Sequence, residues 1–552
     1  MKNIKITTFL LIITCYNLLY SQTVGLISNS NDATPGYTLF APMNGNNAYL
    51  IDNCGRIINS WKATDLASGT SILLEDGSLL YSGKIVNKIF SQAGGTGGSI
   101  EKINWKGEIT WRYVLTDSLK SMHHDIYAMP NGNVLAMVWV YKNLEEIFDK
   151  GRTNKYKDSS MWDERLIEIK PIGKDSAEIV WQWDAWEHTI QDIDSTKPNY
   201  GTVSKYPGKI NLNYFSKTRA KFQPDWLHCN SIDYNKELDQ IMIGIPNFHE
   251  FWIIDHSTST QQAKGEKGGN QGKGGDIIYR WGNPITYNRG SEVNQELFFQ
   301  HNSQWIPKGL KSEGNFLIFN NGNGRGFTSI DIIKSPVNLQ GGYFIDELLP
   351  YLPTKSSWSF KDSLYFYSQI IGGVQPLPNG HFLICDGLKG RFFEIDSNGK
   401  KVWEYINPVN KNKIMEQGLK PEPNDVLDIQ RYPNNYAAFN GKVITPGARI
   451  ELNPINDNCG FKTVKDEDEN DNKFSVNLFP NPVNNFMEIK SQGEIITSLK
   501  ILNVNGKVLL MKSINNFSSV LDLSEIPNGV YGLVIFSNKS NIQFKKIVVE
   551  KK

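Results

Sequence analysis

The sequence predicts an all-β protein in two parts, a six-bladed β-propeller followed by a small β-sandwich. Its 14 tryptophans, 47 glycines and 12% aromatic residues suit many short strands joined by tight turns. Two strand patterns alternate along residues 25–456, and the composition changes after Cys459. We therefore expect a leader at 1–21, the propeller at 22–460, a linker at 461–473 and the sandwich at 474–552.

The first 21 residues, MKNIKITTFLLIITCYNLLYS, carry Lys2 and Lys5 ahead of an apolar run that ends near Ser21. This pattern is typical of a secretory signal peptide, and we expect cleavage before Gln22. The apolar run is shorter than the roughly 20 residues that a transmembrane helix needs, and no later segment reaches that length. The sequence therefore predicts an exported chain without a transmembrane segment. A net charge of +1 offers no basis for a nucleic-acid partner.

Four cysteines follow the leader: Cys54, Cys229, Cys385 and Cys459. Disulfides persist in exported proteins, and a bond between Cys54 and Cys459 would join the two ends of the repeat region. Four cysteines allow three pairings, and four buried thiols are an equal alternative, so the pairing stays open.

Each repeat combines two patterns. The first is an apolar strand, an acidic residue, a turn and a strand ending near Trp; its copies are YLIDNCGRIINSW, SIEKINWKGEITWRY, LIEIKPIGKDSAEIVWQW, FWIIDHSTST with GGDIIYRWG, a degenerate SSWSFKDSLYFY, and FFEIDSNGKKVWEY. The second is strand, turn, strand; its copies are SILLEDGSLLYS, HDIYAMPNGNVLAMV, CNSIDYNKELDQIMIGI, NSQWIPKGLKSEGNFLIF, GGVQPLPNGHFLIC and DIQRYPNNYAAF. Units of four strands at a spacing of roughly 45 to 75 residues are typical of propeller blades. Six units predict six blades.

Three of the second patterns carry a histidine at one position: His124, His228 and His301 each lie eight residues before the turn. Equivalent positions on consecutive blades converge at the channel, so we expect three imidazoles to face one pocket. The other histidines, His188, His249, His256 and His381, lack this register, and we expect them to be structural. His123 is ambiguous, because it adjoins His124 but lies on the opposite strand face if the segment is extended.

Convergent imidazoles suit two chemistries. One is a zinc hydrolase site with three histidine ligands. The other is binding of a sulfuryl or phosphoryl group, with one imidazole as the nucleophile. Asn230 and Asn302 follow two of the histidines closely and supply amide donors, which favours anion binding without a metal or other cofactor.

The segments YLIDNCGRIINSW, MHHDIYAMPNGN, DWLHCNS, QHNSQWIPKG with GNFLIFNNGNGR, and GGVQPLPNGHFLICDG together resemble the bacterial aryl-sulfate sulfotransferase family, over about Gly25 to Asn456. The resemblance implies a six-bladed propeller that moves a sulfuryl group from an aryl sulfate ester to a phenolic acceptor through a sulfohistidine, independently of a nucleotide donor. It implies His301 as the nucleophile. It also implies that His124 and His228 hold the sulfuryl oxygens or shuttle the phenol proton.

The chain departs from this family at Pro246, where members carry an arginine. We expect Arg325, in FNNGNGRGF, to compensate as a substrate-binding residue together with Asn230, Asn302 and His123. A second hypothesis is a propeller that binds a sulfated or phenolic ligand, or a surface partner, without turnover. A metal-dependent hydrolase ranks last.

The tail begins with TVKDEDENDNK, an acidic and polar linker. The later segments FSVNLFPNPVNNFMEIK, SLKILNVNGKVLLMK, VLDLSEIPNGVYGLVIF and FKKIVVEKK alternate like the strands of a small sandwich. Their PNP, NVNGK and IPNGVY motifs resemble the C-terminal sorting domain of the Bacteroidetes type IX secretion pathway. The resemblance implies the type IX machinery as a partner and a secreted or cell-surface location.

Overall fold

A computed structural model describes residues 22–91, 93–153, 159–215, 224–363, 365–419, 423–455, 459, 475–503, 507–538 and 542–551. The predicted signal peptide and the predicted linker lie outside these residues. The chain divides into two compact units, Met1–Cys459 and Gly460–Lys552. Nearly all regular structure in both is β-strand, so the all-β prediction is confirmed.

Most strands of the first unit form six antiparallel sheets. The chain starts with β1 (Gly25–Asn29), β2 (Tyr37–Pro42), β3 (Asn47–Asp52) and β4 (Ile57–Lys62). Sheet 1 is β5 (Leu66–Leu73), β6 (Leu79–Lys84), β7 (Gly98–Ile103) and β8 (Ile109–Val114); sheet 2 is β9 (Lys120–Ala128), β10 (Val134–Lys142), β11 (Met161–Ile172) and β12 (Ser176–Asp184). A parallel pair, β13 (Thr189–Ile190) and β14 (Ile210–Asn211), lies in the insertion that follows.

The next four-stranded sheets continue the series. Sheet 3 is β15 (Ser231–Asn235), β16 (Gln240–Ile245), β17 (Glu250–Asp255) and β18 (Tyr279–Trp281); sheet 4 is β19 (His301–Trp305), β20 (Phe316–Asn320), β21 (Ser329–Ile333) and β22 (Trp358–Lys361). Sheet 5 is β23 (Gly373–Pro376), β24 (Phe382–Asp386), β25 (Arg391–Ile395) and β26 (Lys401–Ile406), with β1 added at its edge. After the short hairpin of β27 (Val409–Asn410) and β28 (Lys413–Ile414), β29 (Val426–Tyr432) completes sheet 6 by pairing with β2, followed by β3 and β4.

Helices are few and short. In the part of the chain that the structure describes, the α-helices are α1 (Leu144–Asp149) and α2 (Thr260–Ala263), and the 3-10 turns are Ala185–His188, Val203–Lys205, Pro246–Phe248, Pro284–Tyr287, Glu292–Asn294, Gly387–Lys389 and Ala437–Phe439. No helix in the described ranges is long and apolar enough to cross a membrane.

Two strand predictions need correction. The segment SSWSFKDSLYFY supplies only β22, because β21 lies upstream in SIDII. In DIQRYPNNYAAF only β29 is a strand, because the apolar YAAF enters a 3-10 turn and β2, from the start of the chain, takes the second place in sheet 6.

The first strands of the six sheets contact one another in sequence order, and β29 also contacts β5. Side chains link these strands by accepting a backbone N–H from the next one. The acceptor and donor pairs are Asp125 Oδ2 with Ile232, Asp233 Oδ2 with Trp305, Asn302 Oδ1 with Val374, Gln375 Oε1 with Arg431, and Tyr432 Oη with Leu73, at 2.6–2.9 Å. Buried and half-buried polar side chains therefore join neighbouring sheets by satisfying backbone donors.

Tryptophans near the ends of outer strands make a second set of links between sheets. Each indole N–H donates to a backbone carbonyl of the following sheet or its preceding loop: Trp61 to Asn104, Trp111 to Ser176, Trp183 to Gly275, Trp281 to Pro353, and Trp403 to Asn53. This explains why the first sequence pattern ends near Trp, because one side chain fills the core between sheets and also satisfies a polar group.

A disulfide joins Cys54 to Cys459, while Cys229 and Cys385 are buried thiols. Of the pairings left open by the sequence, the structure therefore has the one that spans the repeat region.

The second unit contains two antiparallel sheets. One is β30 (Ser475–Phe479), β31 (Phe486–Gln492) and β34 (Ser518–Asp522); the other is β33 (Val508–Asn516), β32 (Ile496–Leu502), β35 (Gly529–Ser537) and β36 (Ile542–Val549). Inward residues of both sheets, including Met487, Leu499 and Leu533, share one core. Apolar and polar residues alternate along these strands, which puts the apolar side chains into this core.

Candidate functional site

A cavity of about 770 Å³ is lined by residues from β5, β9, β15, β19, β23 and β29, the first strands of the six larger sheets in the first unit. Asp125, Ser231 and Asn302, which follow the three histidines of the repeat, are among its lining residues. The three histidines come shortly before these residues along the chain and are not themselves among the residues that line this cavity.

The three histidine side chains are buried, each at 4–5% exposure. The rings of His124 and His228 are in contact, with centroids 4.6 Å apart and planes at 83°. Phe299 stacks on His228 at 5.6 Å, and its ring centroid lies 6.0 Å from that of His301. The structure therefore brings His124 and His228 together and connects His301 to them through one phenyl ring.

Several residues of this cluster have left-handed backbone conformations. The φ angles are +48° for His124, +54° for His228, +58° for His249, +62° for Phe299 and +47° for Asn302. Such conformations in residues other than glycine cost about 1–3 kcal/mol each and persist where the surrounding structure imposes them, often at functional sites. These conformations lower the stability of the backbone and fix the directions of the side chains in this cluster.

His123 does not lie on the strand face opposite His124, because the segment is not regularly extended. Strand β9 is bulged beside His124, so its pairing with β10 shifts between Ala136 and Met137, and the two imidazoles come to the same side. The Nδ1 atoms of His123 and His124 lie 2.9 Å apart. His123 is fully buried and its ring is stacked on Trp139 at 4.0 Å.

The other ring nitrogen of His123, Nε2, lies 2.9 Å from Oε1 of Glu164 on β11. Both ring nitrogens of His123 are thus bonded to protein groups, and His123 lies between Glu164 and His124. Glu164 was not found by sequence reasoning, since no motif connects a β11 residue to a histidine 41 positions earlier.

His228 is held by a carboxylate that sequence reasoning also missed. Its Nδ1 bonds to Oδ2 of Asp225, and both side chains are buried. The Asn247 side-chain amide donates to the main-chain oxygens of Asp225 and Trp226 and so supports this turn. The D-x-x-H spacing of DWLHCNS was the available signal. A carboxylate in this place orients an imidazole and stabilises its protonated form.

His301 is oriented by an amide. Its Nδ1 lies 2.8 Å from Oδ1 of Asn321, in the loop after β20. The Asn321 Nδ2 group donates to the carbonyl oxygens of Ser368 and Ile371, which assigns the other amide atom as oxygen. His301 therefore carries its proton on Nδ1, and its Nε2 has the lone pair.

The two predicted asparagines support the His301 strand. Asn230 Nδ2 donates to the carbonyl of Gln300, one residue before His301. Asn302 Oδ1 accepts from the Val374 backbone and from Gln304 Nε2. Both tie β19 to neighbouring sheets.

Pro246, which stands where family members have an arginine, lies in a turn. Pro246 is buried and starts the 3-10 turn that ends at His249, whose Nδ1 accepts the Phe299 backbone N–H at 3.0 Å. His249 thus positions the phenyl ring between His228 and His301, a closer link to the site than its sequence suggested.

Arg325 lies within its own loop. Its guanidinium donates to the carbonyl oxygens of Asn320 and Phe327 and to Ser329 Oγ, and it lies between the Phe298 and Phe327 rings. Burial lowers its pKa from the ordinary value.

The remaining histidines pair with carboxylates as structural links. His188 bonds to Asp276, His256 to Asp239 and Glu168, and His381 to Glu394. Within the described residues, no group of three His, Cys, Asp or Glu side chains has an arrangement that could hold a metal ion.

The fold and the site together define a class: an all-β protein with a buried cluster of imidazoles. The chain belongs to the arylsulfotransferase (ASST) family, whose model matches residues 27–424. Residues 477–550 match the secretion system C-terminal sorting domain.

Solved structures are similar at low identity. A protein of unknown function from Bacteroides caccae is 12% identical over 72% of this chain and 99% of its own, with a TM-score of 0.38. Virginiamycin B lyase from Staphylococcus aureus is 10% identical over 69% and 88%, at 0.31, and apo AztD from Citrobacter koseri is 11% identical over 73% and 100%, at 0.33. A comparison with curated proteins found no match.

Proposed function

We propose that the protein is an exported aryl-sulfate sulfotransferase that works through a sulfohistidine on His301. The observation that carries the proposal is the bond from His301 Nδ1–H to Asn321, because it leaves the Nε2 lone pair for attack on sulfur. The aryl S–O bond breaks as the N–S bond forms, and a phenolic acceptor then takes the sulfuryl group from nitrogen.

His228 and His124 have different parts in this scheme. His228, paired with the Asp225 carboxylate, holds positive charge on its ring and binds the sulfuryl oxygens. This charge takes the place of the arginine that Pro246 replaces. His124, whose Nδ1 faces another imidazole, exchanges a proton with the phenol oxygens.

The scaffold of this site is proposed to be a six-bladed β-propeller, with β29 and β2 closing it. The contacts between successive first strands, including β29 with β5, support this arrangement. A cavity lined by all six first strands also supports it. The second unit is proposed to be a β-sandwich that addresses the chain to the type IX machinery, in keeping with the match to a sorting domain.

The test is transfer of the sulfuryl group from 4-nitrophenyl sulfate to phenol by the mature chain. Transfer is measured as release of 4-nitrophenol and formation of phenyl sulfate. Intact-protein mass spectrometry without acceptor is expected to detect one added SO₃ group. His301→Ala is expected to abolish both signals, whereas His381→Gln, outside the cluster, retains them. Transfer that survives His301→Ala would overturn the assignment.

Pro246 favours a second function, a propeller that binds aryl sulfates without turnover. That function predicts saturable binding of 4-nitrophenyl sulfate by calorimetry with no sulfated acceptor and no sulfated protein.

A further inference from the structure

The side chains of Glu164, His123 and His124 form a continuous buried row behind the imidazole pair. Oε1 of Glu164 lies 2.9 Å from Nε2 of His123, and Nδ1 of His123 lies 2.9 Å from Nδ1 of His124. These distances are those of hydrogen bonds. The row therefore connects a carboxyl group to the ring of His124 through one imidazole.

With His123 neutral, two protonation patterns satisfy both hydrogen bonds. If the Glu164 carboxyl carries a proton, it donates to His123 Nε2, His123 Nδ1–H donates to His124 Nδ1, and His124 carries its own proton on Nε2. If Glu164 is ionised, His123 Nε2–H donates to Glu164 and His124 Nδ1–H donates to His123 Nδ1. His124 Nε2 then has a lone pair instead of a proton. The state of Glu164 thus sets whether His124 is an acid or a base at Nε2.

We propose that Glu164 and His123 form a proton relay that supplies a proton to the departing phenol oxygen in the first half-reaction and takes one back from the acceptor phenol in the second. The inference rests on the proposed sulfotransferase function. Glu164 and His123 are positioning residues here, because they act through His124 and do not touch the phenol.

The steps balance. In the first half-reaction, His301 Nε2 bonds to sulfur, the aryl S–O bond breaks, and the departing oxygen takes the proton from His124 Nε2. Protons then move from His123 Nδ1 to His124 Nδ1 and from Glu164 to His123 Nε2, which leaves Glu164 ionised. In the second half-reaction, the acceptor oxygen bonds to sulfur as the N–S bond breaks, and its proton returns along the same row to Glu164.

Burial isolates the relay from water. His123 is 0% exposed and Glu164 1%, so a proton on this row has its exit through His124. Trp139 stacks on His123 with an angle of 4° between the planes and holds the ring in line with both partners. The relay therefore gives up its proton, and regains one, only through His124.

The electrostatics of the row suit a stored proton. Burial, and then the nearby Asp225 and Asp163 carboxylates, raise the pKa of Glu164 well above its ordinary value. Burial lowers the pKa of His123 to about 3, so this imidazole passes the proton while remaining neutral in both resting states. The thiol of Cys229 also lies against Glu164.

The test varies the leaving group. The first-turnover release of phenol is measured from 4-nitrophenyl sulfate, whose product leaves readily as the anion, and from phenyl sulfate, whose product needs a proton. Glu164→Gln is expected to slow phenyl sulfate at least about tenfold more than 4-nitrophenyl sulfate, because general acid catalysis contributes about 10²–10⁴-fold. A merely structural loss would slow both donors equally.

Glu168→Gln is the matched control, since Glu168 lies on the same strand and bonds to His256 instead. It is expected to leave the ratio of the two donors at the wild-type value. ¹⁵N NMR of histidine-labelled chain supplies a second measurement, in which Glu164→Gln changes the protonated ring nitrogen of His124 and Glu168→Gln does not. An active wild type with equal ratios in both variants would overturn the relay alone, while a wild type without any transfer would overturn the proposed function and the relay with it.

Discussion

Asn321 Oδ1 lies 2.8 Å from His301 Nδ1, and two backbone carbonyls behind Asn321 fix the direction of its amide. The pair determines which nitrogen of His301 carries the proton. An asparagine that is held from behind cannot turn to donate instead, so the nucleophilic tautomer is set before substrate arrives.

Asn321→Leu should therefore weaken the first half-reaction. Leucine has a similar size but cannot accept a hydrogen bond from Nδ1–H. The ring proton of His301 can then move to Nε2, and Nε2 loses its lone pair. We expect the burst of 4-nitrophenol to slow by about 10²-fold or more. Asn230→Leu removes a support of the same strand without touching His301 Nδ1, and it should lower the rate less. An equal loss in both variants would show that strand position, rather than the tautomer, limits the rate.

Asp225→Asn should reduce transfer by removing the negative partner of His228. The amide keeps the shape but no longer stabilises the imidazolium, which the proposed function requires on the sulfuryl oxygens. We expect a loss of about 10²–10³-fold in kcat/KM for 4-nitrophenyl sulfate. Asp239→Asn, at the carboxylate of His256, is the control and should retain the rate. Full activity in Asp225→Asn would contradict the cationic role of His228.

The repeat made the outline of the site predictable. His124, His228 and His301 share a register because each sheet starts with the same strand, turn and strand pattern, and strand order along the chain follows sheet order. The orienting partners could not be predicted in this way. Asp225, Glu164 and Asn321 come from a turn, a third strand and a loop, and no period connects them to the imidazoles.

The position of His123, which the sequence left ambiguous, has one physical cause. Alternation assigns adjacent residues to opposite faces only while a strand is regular, and the left-handed conformation of His124 breaks that rule. The two wrong strand predictions also result from local irregularity in the chain. A short apolar run such as YAAF is compatible with a strand or a turn, and here the partner strand comes from residue 37 onwards, at the other end of the chain.

Reduction of the Cys54–Cys459 disulfide should lower the stability of the first unit. The bond encloses 405 positions of sequence separation, so its loss frees a long loop in the unfolded chain. We expect Cys54→Ala with Cys459→Ala to lower the free energy of unfolding by about 2–4 kcal/mol. Urea titration with and without reductant measures this. Cys385→Ala is a poor control because that thiol lies in the core. The comparison is the reduced wild type, whose free energy of unfolding should equal that of the double variant.

The pH dependence of stability should reveal the ion cluster of His256. Its ring lies 2.7 Å from Asp239 and 3.1 Å from Glu168, and it links β11 to the turns of sheet 3. Although burial opposes the charged imidazole, the hydrogen bonds to both carboxylates raise the pKa of His256 to about 9. Hydrogen bonds from His256, Asn131 and Asn133 outweigh burial and lower the pKa of Glu168 to about 2.

The signs of the two shifts define a window. A raised histidine pKa stabilises the fold fully below the unfolded value of 6.5 and loses this contribution as pH rises to about 9. A lowered glutamate pKa stabilises it above 4.5 and loses this contribution as pH falls to about 2. The cluster is therefore most stabilising between pH 4.5 and 6.5. His256→Gln should destabilise the first unit most in this window and progressively less towards pH 9, as measured by urea unfolding. A destabilisation that does not change with pH would mean that His256 acts by packing against Trp181, its ring neighbour at 4.7 Å, and not by charge.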